Sequence, residues 1–501
     1  MTAPSLVTPA QAVSATTALL HGTLDTAASV TRTAVVDSAG AWTYKELQDA
    51  SRAAAAWLAG KDVGRGDRVV VKATADRRVV ALLYGCSRLG AVIVPVAKTL
   101  TPFQLAQIVG DAEPKLVVGF PELDLCGRTL DMVWAEVGAC AAAPDGGSAP
   151  DPADPLVLFY TSGSTAAPKA VIAPHRQIAF AAAAIQDRLL YRADDTVFCR
   201  LPLNFDYGLF QVFLSVLTGA AVVLAGPDDD TRLAVEIERH GATVVPVVPA
   251  LASMLVRLLR RSGPNRTVRL LTNTGEDLPR ATIEQLKQVL PAASVQLMFG
   301  LTECKRVAIL EPDGYLGRPG SVGRPLAGTS VRIVNPDGRE TKPGHSGEIV
   351  VLGPHVMPGY WRAPELTRQR FFTDPVTGQA ALRTGDMGYL DRDGYLYFQG
   401  RRDQLFKHRG VRTSVVEIEA ALAAVPGVDE AVVVPPRNGG PLVLYAVSKL
   451  TGPELLGELR GLVGPQKLPD VCYVVESLPR GPNGKPDRAS LARRTAAGER
   501  P

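Results

Sequence analysis

The sequence predicts an α/β protein in which a large N-terminal domain precedes a small α+β C-terminal domain. The chain has 501 residues, more than one hydrophobic core usually supports, so more than one domain is expected. Up to about residue 300, short apolar runs alternate with amphipathic helical patterns, which is typical of doubly wound mixed sheets. From about residue 313 onward, glycines and prolines separate short strands, which indicates a distorted β-barrel or a small antiparallel sheet.

The first elements illustrate this alternation. Residues 43–46 form a capping-box pattern, which begins an amphipathic helix that ends near Ala59. A strand is predicted at 68–72, a helix at 79–89 and a second strand at 91–96. The order of strand, helix and strand predicts parallel pairing.

Later segments extend the pattern. Residues 207–227 carry no charge, but their polar residues and glycines make them a poor membrane span. A buried helix at about 209–218 and a strand at about 220–225 fit this stretch better. Other strands are predicted at 196–201, 243–248, 268–272, 295–299, 347–352, 395–398, 430–435 and 442–448. A helix is predicted at 415–424.

Composition excludes several classes of protein. Apolar residues make up 46% and charged residues 21% of the chain, as in ordinary globular proteins. The net charge of +4 comes without a block of lysines and arginines, so no nucleic-acid partner is expected. The six cysteines form no CxxC pair, which is evidence against a zinc site or a disulfide framework. Neither a signal peptide nor a membrane span is found, so a cytoplasmic protein without a membrane partner is predicted.

A candidate phosphate-binding loop follows the apolar run at 156–160. The loop offers backbone N–H groups, hydroxyls and one cation, which are the groups that hold a polyphosphate without crowding it. It lacks the GxxxxGK[ST] pattern of a Walker A loop, and a plain surface loop is the alternative interpretation. The candidate residues are Thr161, Ser162, Gly163, Ser164, Thr165 and Lys169.

A second motif, MFGLTEC at 298–304, follows a predicted strand. Phe299 precedes Gly300, and an aromatic ring at this place can stack on a purine. Thr302 can bond a phosphate, and Glu303 offers the hard oxygen ligand that Mg²⁺ prefers. For this string alone, the capped start of a helix is the alternative.

Together with three further strings, these motifs resemble the adenylate-forming enzymes, which include acyl-CoA synthetases, nonribosomal adenylation domains and luciferases. The loop resembles [YF]TSGSTGxPKG, with Ala166 and Ala170 in place of glycine, a departure that predicts a stiffer or differently shaped loop. The second motif resembles YGxTE, and Asp386 ends a TGD string. Residues 400–419 match GRxDxxxKxxGxRxxxxEIE at every fixed position, and residues 478–485 resemble LPxxxxGK. The similarity covers nearly the whole chain.

The resemblance implies a fold and a reaction. It implies an N-terminal AMP-binding domain at 1–402 and a mobile C-terminal domain at 403–501, with the active site between them. The reaction would use ATP, with Mg²⁺, to convert a carboxylic acid into an acyl-AMP and release pyrophosphate. Lys485 would be the catalytic residue, because one mobile ammonium can neutralise two anions that repel each other.

The resemblance also assigns roles to individual residues. Asp386 would take the ribose hydroxyls, and Arg401 would contact ribose or phosphate. Asp403 would be the hinge of the small domain, and Gly410 would lie where a pantetheine arm passes. Further nucleotide contacts are expected from Thr274, Gly275, Glu276, Phe299 and Gly300. The residues expected to join Lys485 in catalysis are Asp206, Thr302 and Glu303, the last as the metal ligand.

The identity of the acid depends on the segment at 201–211. Asp206 aligns with the aspartate that pairs with the substrate ammonium in amino-acid-activating relatives, but Gly208 replaces their usual serine. Lys305 and Arg306 offer an alternative, since either could neutralise Asp206 instead. An amino acid and a cyclic or aryl acid both stay open. The predicted pocket residues are Phe205, Asp206, Tyr207, Phe210 and Met298, with Phe205 gating the second half-reaction.

Three acceptors are compatible with the sequence: CoA, a carrier protein acting in trans, and a free amine. With an amine, the enzyme would resemble amide bond synthetases, and Asp206 would act as general base. A stand-alone amino acid adenylation enzyme is a further alternative. A nucleotide-binding member without turnover is disfavoured, because the residues with direct chemical roles are all retained. A luciferase-like oxygenase has no separate marker in the sequence.

Overall fold

The computed structural model describes residues 19–27, 29–121, 128–140, 150–161, 169–401, 405–409, 411–436, 440–481 and 485–497. Within these ranges the helices are α1 (Leu20–Asp25), α2 (Tyr44–Ala59), α3 (Arg77–Leu89), α4 (Pro102–Ala112), α5 (Leu130–Val137), α6 (His175–Leu189), α7 (Asp206–Thr218), α8 (Leu233–Arg239), α9 (Pro249–Ser262), α10 (Arg280–Val289), α11 (Pro364–Arg370), α12 (Val415–Ala423), α13 (Gly452–Val463) and α14 (Arg488–Ala497). The strands are β1 (Thr33–Asp37), β2 (Gly40–Thr43), β3 (Arg68–Lys72), β4 (Val92–Val96), β5 (Leu116–Val118), β6 (Pro155–Thr161), β7 (Lys169–Pro174), β8 (Thr196–Cys199), β9 (Ala221–Leu224), β10 (Val244–Val247), β11 (Leu270–Asn273), β12 (Ser294–Leu301), β13 (Lys305–Ile309), β14 (Arg324–Pro325), β15 (Ser330–Val334), β16 (Gly347–Leu352), β17 (Phe371–Thr373), β18 (Ala380–Leu390), β19 (Leu396–Arg401), β20 (Leu405–His408), β21 (Val411–Ser414), β22 (Val428–Val434), β23 (Val443–Ser448) and β24 (Val471–Val474).

The first large sheet has the strand order β5-β3-β4-β6-β7 in the described residues. Its neighbours are parallel except for the hairpin of β6 and β7. Parallel strands need a crossover, and helices α3 and α4 supply the connections from β3 to β4 and from β4 to β5. Helix α2 begins with the predicted capping box, since the Thr43 and Glu46 side chains each accept a hydrogen bond from the other residue's backbone N–H. The predicted alternation is confirmed here.

The second large sheet has the order β14-β13-β12-β11-β10-β8-β9-β1-β2 within the described part of the chain. Strands β8 to β12 run parallel to their neighbours, and β13 turns back antiparallel to β12. Ligands of such sheets bind beyond the carboxyl ends of the parallel strands. Residues that follow β11 and β12 are therefore placed where a site is expected.

Helix α7 connects β8 to β9 and is buried along most of its length. With β9 it accounts for the uncharged stretch that resembles a membrane span in composition. A helix that is apolar on all sides lies in the core of a large protein. No helix among the described residues is both long enough and apolar enough to cross a bilayer.

Two smaller sheets follow. The predicted distorted barrel takes the form of an antiparallel sheet, β15-β16-β18-β17, to which β19 adds by pairing with β18. In the C-terminal part, β22, β23 and β24 form one sheet, and α12 contacts both β22 and α13. This confirms the predicted α+β character of the C-terminal segment.

Two buried histidines are held in their neutral form. His175 begins α6, and its Nδ1 accepts a hydrogen bond from the Leu20 backbone N–H at 3.3 Å. His355 lies beside the Phe180 ring, and neither of its ring nitrogens has a partner among the described residues. Burial lowers the pKa of both histidines from 6.5 to about 4.

This pKa shift predicts a loss of stability in mild acid. The contribution is present in full above about pH 6.5 and is lost as the pH falls toward 4, because the unfolded chain binds protons that the folded chain does not. Between about pH 7.5 and about pH 5, each histidine accounts for about 2 kcal/mol of unfolding free energy. We expect His355→Leu to remove the part of this pH dependence that comes from His355. Urea unfolding at both pH values measures it. The exposed-site control His345→Leu is expected to keep the full dependence, and an unchanged dependence in His355→Leu would contradict the prediction.

Candidate functional site

The carboxyl ends of the parallel strands open into a cleft of about 3000 Å³, lined by side chains from both large sheets, from the antiparallel sheet and from the C-terminal segment. In the described residues, the cleft brings together the predicted site residues Thr161, Lys169, Phe205, Asp206, Thr274, Gly275, Glu276, Met298, Phe299, Gly300, Thr302, Glu303, Asp386, Arg401 and Lys485. The predicted residues that lie outside the described part of the chain are Ser162, Gly163, Ser164, Thr165, Asp403 and Gly410.

Strands β6 and β7 bring the two ends of the candidate phosphate-binding loop together. Thr161 pairs with Lys169, and its hydroxyl donates to the Lys169 carbonyl oxygen at 3.4 Å. Ala170 lies inside β7, opposite Tyr160, and is buried. Extended backbone suits alanine, and Ala170 belongs to the sheet, so its assignment to the loop is wrong. Ala166 lies outside the described residues.

The hairpin of β12 and β13 places Glu303. Gly300 in β12 pairs with Arg306 in β13, next to an irregularity in the register. A Cβ added at Gly300 would lie 1.8 Å from the Lys305 carbonyl oxygen, so only glycine fits at this close approach. The tight hairpin excludes the alternative interpretation of this motif as a helix start.

Two side chains hold the Glu303 carboxylate. Glu303 Oε1 accepts a hydrogen bond from the Tyr360 hydroxyl at 2.6 Å and another from Arg370 Nη1 at 2.9 Å. Arg370 Nη1 also donates to the Tyr360 hydroxyl oxygen at 2.7 Å. Burial lowers the pKa of Arg370, but the charges of Glu303 and other neighbours raise it more, so the guanidinium stays protonated. Burial and the same carboxylate raise the pKa of Tyr360.

The donor set around Glu303 fits a magnesium ion that arrives with a nucleotide. The described residues contain no group of three or more His, Cys, Asp or Glu side chains that could cage a metal by themselves. Mg²⁺ usually takes one or two protein carboxylates and fills its other positions with phosphate oxygens and waters. Glu303 supplies one carboxylate at the cleft, which is what this kind of site requires.

Groups suited to a nucleoside lie along the same cleft. Asp386 on β18 is buried and pairs with Arg401 on β19, whose Nε lies 3.6 Å from Asp386 Oδ1. Phe299 packs against Phe398, with ring centroids 5.3 Å apart. Thr274 Oγ1 is buried without a hydrogen-bond partner in the described part of the chain. A buried hydroxyl without a partner indicates a place where a ligand completes the hydrogen bonding.

Lys485 reaches across the cleft to the segment after β11. Its Nζ donates a hydrogen bond to the Gly275 carbonyl oxygen at 2.8 Å. A Cβ built on Gly275 would lie 3.5 Å from both Lys485 Nζ and Phe205 Cζ, so the ammonium and this ring meet over the glycine. Burial raises the pKa of the neighbouring Glu276, and the positive charges of Lys485 and Arg488 oppose that shift.

A set of buried charges lies at the first turn of α7. Arg306 Nη1 is 3.5 Å from Asp206 Oδ2, and the guanidinium lies over the Tyr207 ring at 4.9 Å from its centre. Lys305 is fully buried, and its Nζ has no hydrogen-bond partner among the described residues. That Nζ lies 3.9 Å from the centre of the Phe159 ring. Burial lowers the pKa of Lys305 to about 8, while the Asp206 carboxylate acts in the opposite direction.

Two predicted pocket residues, Tyr207 and Phe210, lie behind the cleft wall. Tyr207 is 1% exposed, and its hydroxyl donates to the Thr272 carbonyl oxygen at 2.7 Å. Phe210 is 2% exposed, with Lys305 Nζ 5.9 Å from the centre of its ring. The expectation of a flat apolar wall is wrong for both rings, because the side chains of Arg306 and Lys305 lie over them. The wall next to Asp206 carries the Arg306 guanidinium, and the Lys305 ammonium is buried behind it.

Packing explains why Gly208 stands where amino-acid-activating relatives usually have serine. A Cβ at Gly208 would lie 2.3 Å from the Pro202 carbonyl oxygen. Serine would collide with the backbone here, so its absence gives no information about whether the acid carries an amino group.

Comparison with known proteins identifies the family. Residues 25–361 match the AMP-binding enzyme family, and residues 417–485 match the AMP-binding enzyme C-terminal domain. The chain belongs to the AMP-binding enzymes. The predicted fold class and reaction type are thereby confirmed: this AMP-binding enzyme is an ATP-dependent acid ligase that forms an acyl-AMP.

Similar AMP-binding enzymes differ in substrate. Sulfoacetate–CoA ligase of Cupriavidus necator is 31% identical over 480 residues, which cover 91% of this chain and 93% of the relative. L-proline–[L-prolyl-carrier protein] ligase of Pseudomonas fluorescens is 31% identical over 92% of this chain and 96% of the relative. The structure of VinN in complex with L-aspartate is 44% identical, with a TM-score of 0.70, and the match covers 76% of this chain and 98% of VinN. VinN in complex with 3-methylaspartate is also similar.

Sequence patterns do not predict Tyr360 and Arg370 as site residues. Tyr360 lies in the string MPGYW at 357–361, in which nothing marks a role for the hydroxyl. No local pattern marks Arg370. Their bonds to Glu303 span 57 and 67 residues of sequence, so only the fold brings the three side chains together.

Proposed function

We propose that this AMP-binding enzyme adenylates an amino acid that carries a second acidic group, such as an aspartate-type amino dicarboxylate. The observation that carries this proposal is the buried set of Asp206, Arg306 and Lys305, in which one carboxylate faces two cations. An unbalanced buried charge is costly unless a partner neutralises it. A substrate ammonium would pair with Asp206, and a spare anion would pair with Arg306 and lie near the excess positive charge of Lys305.

The contacts support a division of the substrate charges between Asp206 and Arg306. The 3.5 Å separation of Arg306 from Asp206 exceeds the roughly 2.7–2.9 Å of a strong charge-assisted hydrogen bond, so both groups keep bonding capacity. Asp206 would accept hydrogen bonds from the ammonium. Arg306 would donate to the second acidic group, and Lys305 would add its charge from behind. The remaining carboxylate would then extend toward Lys485.

The names of similar proteins support this substrate class. VinN has been solved with L-aspartate and with 3-methylaspartate, both of which carry an ammonium and two carboxylates. Sulfoacetate, the substrate named for the Cupriavidus necator ligase, carries a sulfonate beside its carboxylate. Among these substrates, a second anion recurs together with the reacting carboxylate.

ATP–pyrophosphate exchange with acids that differ by one charged group tests the proposal. L-aspartate and 3-methylaspartate are the complete ligands, succinate lacks the ammonium, and alanine and β-alanine each lack one carboxylate. We expect the complete ligands to exceed every truncated acid by at least about tenfold in kcat/KM. Fastest exchange with succinate or with an aryl acid would mean that Arg306 alone neutralises Asp206, and would overturn the proposal.

Two variants separate the ammonium partner from the anion partner. Asp206→Asn is expected to lower kcat/KM for the amino diacid by about 30-fold or more, because it removes the charge that pairs with a buried ammonium, and to spare succinate. Arg306→Gln is expected to lower kcat/KM for the amino diacid and to spare β-alanine. An equal loss with all acids in both variants would indicate a structural role and contradict the assignment.

The reaction at this site begins with attack on ATP. A carboxylate oxygen of the acid attacks the α-phosphorus, the bond to pyrophosphate breaks, and an acyl-AMP forms. We propose that Lys485 neutralises the charge that develops at this centre and that Thr274 and Asp386 bind the nucleotide. When bound with ATP, Mg²⁺ would neutralise phosphate charge, and Glu303 would hold it.

We infer that the acceptor is the thiol of a phosphopantetheine arm, on CoA or on a carrier protein. Similar proteins carry the names of a CoA ligase and of a carrier-protein ligase, which share this thiol. The sulfur would attack the acyl carbon, and AMP would leave. The division into a domain at 1–402 and a mobile domain at 403–501 remains our proposal for how Lys485 gives way to the arm. Incubation with CoA, a phosphopantetheinylated carrier or free amines distinguishes the acceptors, and amide formation without a thioester would refute the thiol.

A further inference from the structure

We infer that Tyr360 and Arg370 are positioning residues that aim the Glu303 carboxylate at the nucleotide-bound cation. This inference rests on the proposed role of Glu303 as the magnesium ligand. Both donors bond to the same oxygen, Oε1, at 2.6 Å and 2.9 Å. The other oxygen, Oε2, accepts no hydrogen bond from the described residues. The carboxylate is therefore fixed through one oxygen and offers the second.

Arg370 is itself held on three sides. Besides Glu303 and Tyr360, its Nη2 donates to the Thr384 carbonyl oxygen at 2.5 Å and its Nε to the Arg383 carbonyl oxygen at 3.1 Å. With all three of its nitrogens engaged, the guanidinium cannot swing toward a ligand without breaking these bonds. Arg370 consequently acts as a rigid support for Glu303.

The same contacts join two parts of the nucleotide site. Thr384, whose carbonyl binds Arg370, lies two residues before Asp386, and its hydroxyl accepts from the Asp386 backbone N–H at 3.0 Å. Through Arg370, the strand that carries Asp386 and the hairpin that carries Glu303 are therefore held in one geometry. Residues that orient metal ligands in this way typically change metal affinity by about 10- to 100-fold when replaced.

Tyr360→Phe tests the inference with the least disturbance, because it removes one hydroxyl and keeps the ring that packs on Phe371. We expect the Mg²⁺ concentration for half-maximal pyrophosphate exchange to rise by about tenfold, while kcat at saturating Mg²⁺ changes by less than about twofold. Arg370→Lys keeps the positive charge but loses the planar guanidinium that makes several hydrogen bonds at once. We expect the same rise in the Mg²⁺ concentration for half-maximal exchange. The matched control is Tyr395→Phe. It also removes a hydrogen bond from a tyrosine hydroxyl to a glutamate, Glu311, at 3.1 Å, but neither residue lines the cleft.

A binding measurement separates positioning from damage to the fold. Thermal unfolding with ATP, in Mg²⁺ and in EDTA, reports how much of the nucleotide-induced stabilisation depends on the cation. We expect Tyr360→Phe to reduce the Mg²⁺-dependent part of the stabilisation beyond the decrease in the melting temperature without ligand that follows from the lost hydrogen bond. Glu303→Gln is measured in parallel. If Glu303→Gln leaves the Mg²⁺ dependence unchanged, the proposed role of Glu303 fails; if it shifts the dependence and Tyr360→Phe and Arg370→Lys do not, the present inference is overturned.

Discussion

Lys485→Ala is expected to slow acyl-adenylate formation by about 100-fold or more, the largest effect of any single substitution on the chemistry. The acid carboxylate and the α-phosphate are both anions, and we propose that they meet at the Lys485 ammonium, which lies beside Gly275 and Phe205. Removing the ammonium leaves their repulsion uncompensated in a cleft partly screened from water. ATP–pyrophosphate exchange measures the effect directly.

The lysine variant has an internal control in the second half-reaction. Transfer from a synthetic acyl-AMP to a thiol needs no attack on ATP, so Lys485→Ala is expected to retain it within a few-fold. Lys449→Ala, at an exposed lysine in the same C-terminal segment, is expected to leave both steps unchanged. Normal exchange in Lys485→Ala would show that another group neutralises the developing charge.

Gly300→Ala is expected to have the largest effect on the fold of the site. The added Cβ would lie 1.8 Å from the Lys305 carbonyl oxygen and 2.9 Å from the Arg306 Cα. These are backbone atoms of the paired strand, so no side-chain rotation relieves the overlap and the hairpin must open. We expect a loss of at least about 3 kcal/mol of unfolding free energy, together with the loss of ATP-induced stabilisation.

Gly110→Ala is the matched control for the glycine prediction. Gly110 lies within α4, and a Cβ there would meet no atom within 4 Å. Alanine in an exposed helical position is expected to stabilise the protein by about 0.5–1 kcal/mol. Urea unfolding of both variants gives the comparison, and similar midpoints for the two would show that the β12–β13 hairpin tolerates a side chain.

Local patterns predicted the elements well, because their causes are local. The capping box at Thr43 and Glu46 begins α2, and the uncharged stretch at 207–227 forms α7 and β9, since these features depend on residues a few positions apart. The candidate nucleotide residues at the ends of β11 and β12 also meet in one cleft, because the ends of parallel strands share an edge. Roles at Thr274, Asp386 and Lys485 remain predictions.

Local patterns do not predict the orientation of side chains or the contacts between residues far apart in the sequence. The sequence already offers Lys305 and Arg306 as possible counter-ions of Asp206, but no local pattern indicates that they also cover the neighbouring Tyr207 and Phe210 rings. Strand β13 brings these two cations over α7 from about 100 positions away. The motif predicts a loop position for Ala170, whereas pairing with Tyr160 puts the residue in the sheet. Each of these outcomes depends on which strands become neighbours.

The Lys305 ammonium is enclosed by aromatic rings without a hydrogen-bond partner in the described residues, so we expect the empty enzyme to be less stable than the enzyme with an acidic ligand bound. A ligand that brings a counter-charge is expected to stabilise the protein in two ways, through its own contacts and by offsetting the buried Lys305 charge. Ranking small acids by the melting temperature they confer therefore becomes a way to find the natural substrate without ATP, an acceptor or turnover. We expect the acid that best offsets the buried Lys305 charge to give the highest melting temperature.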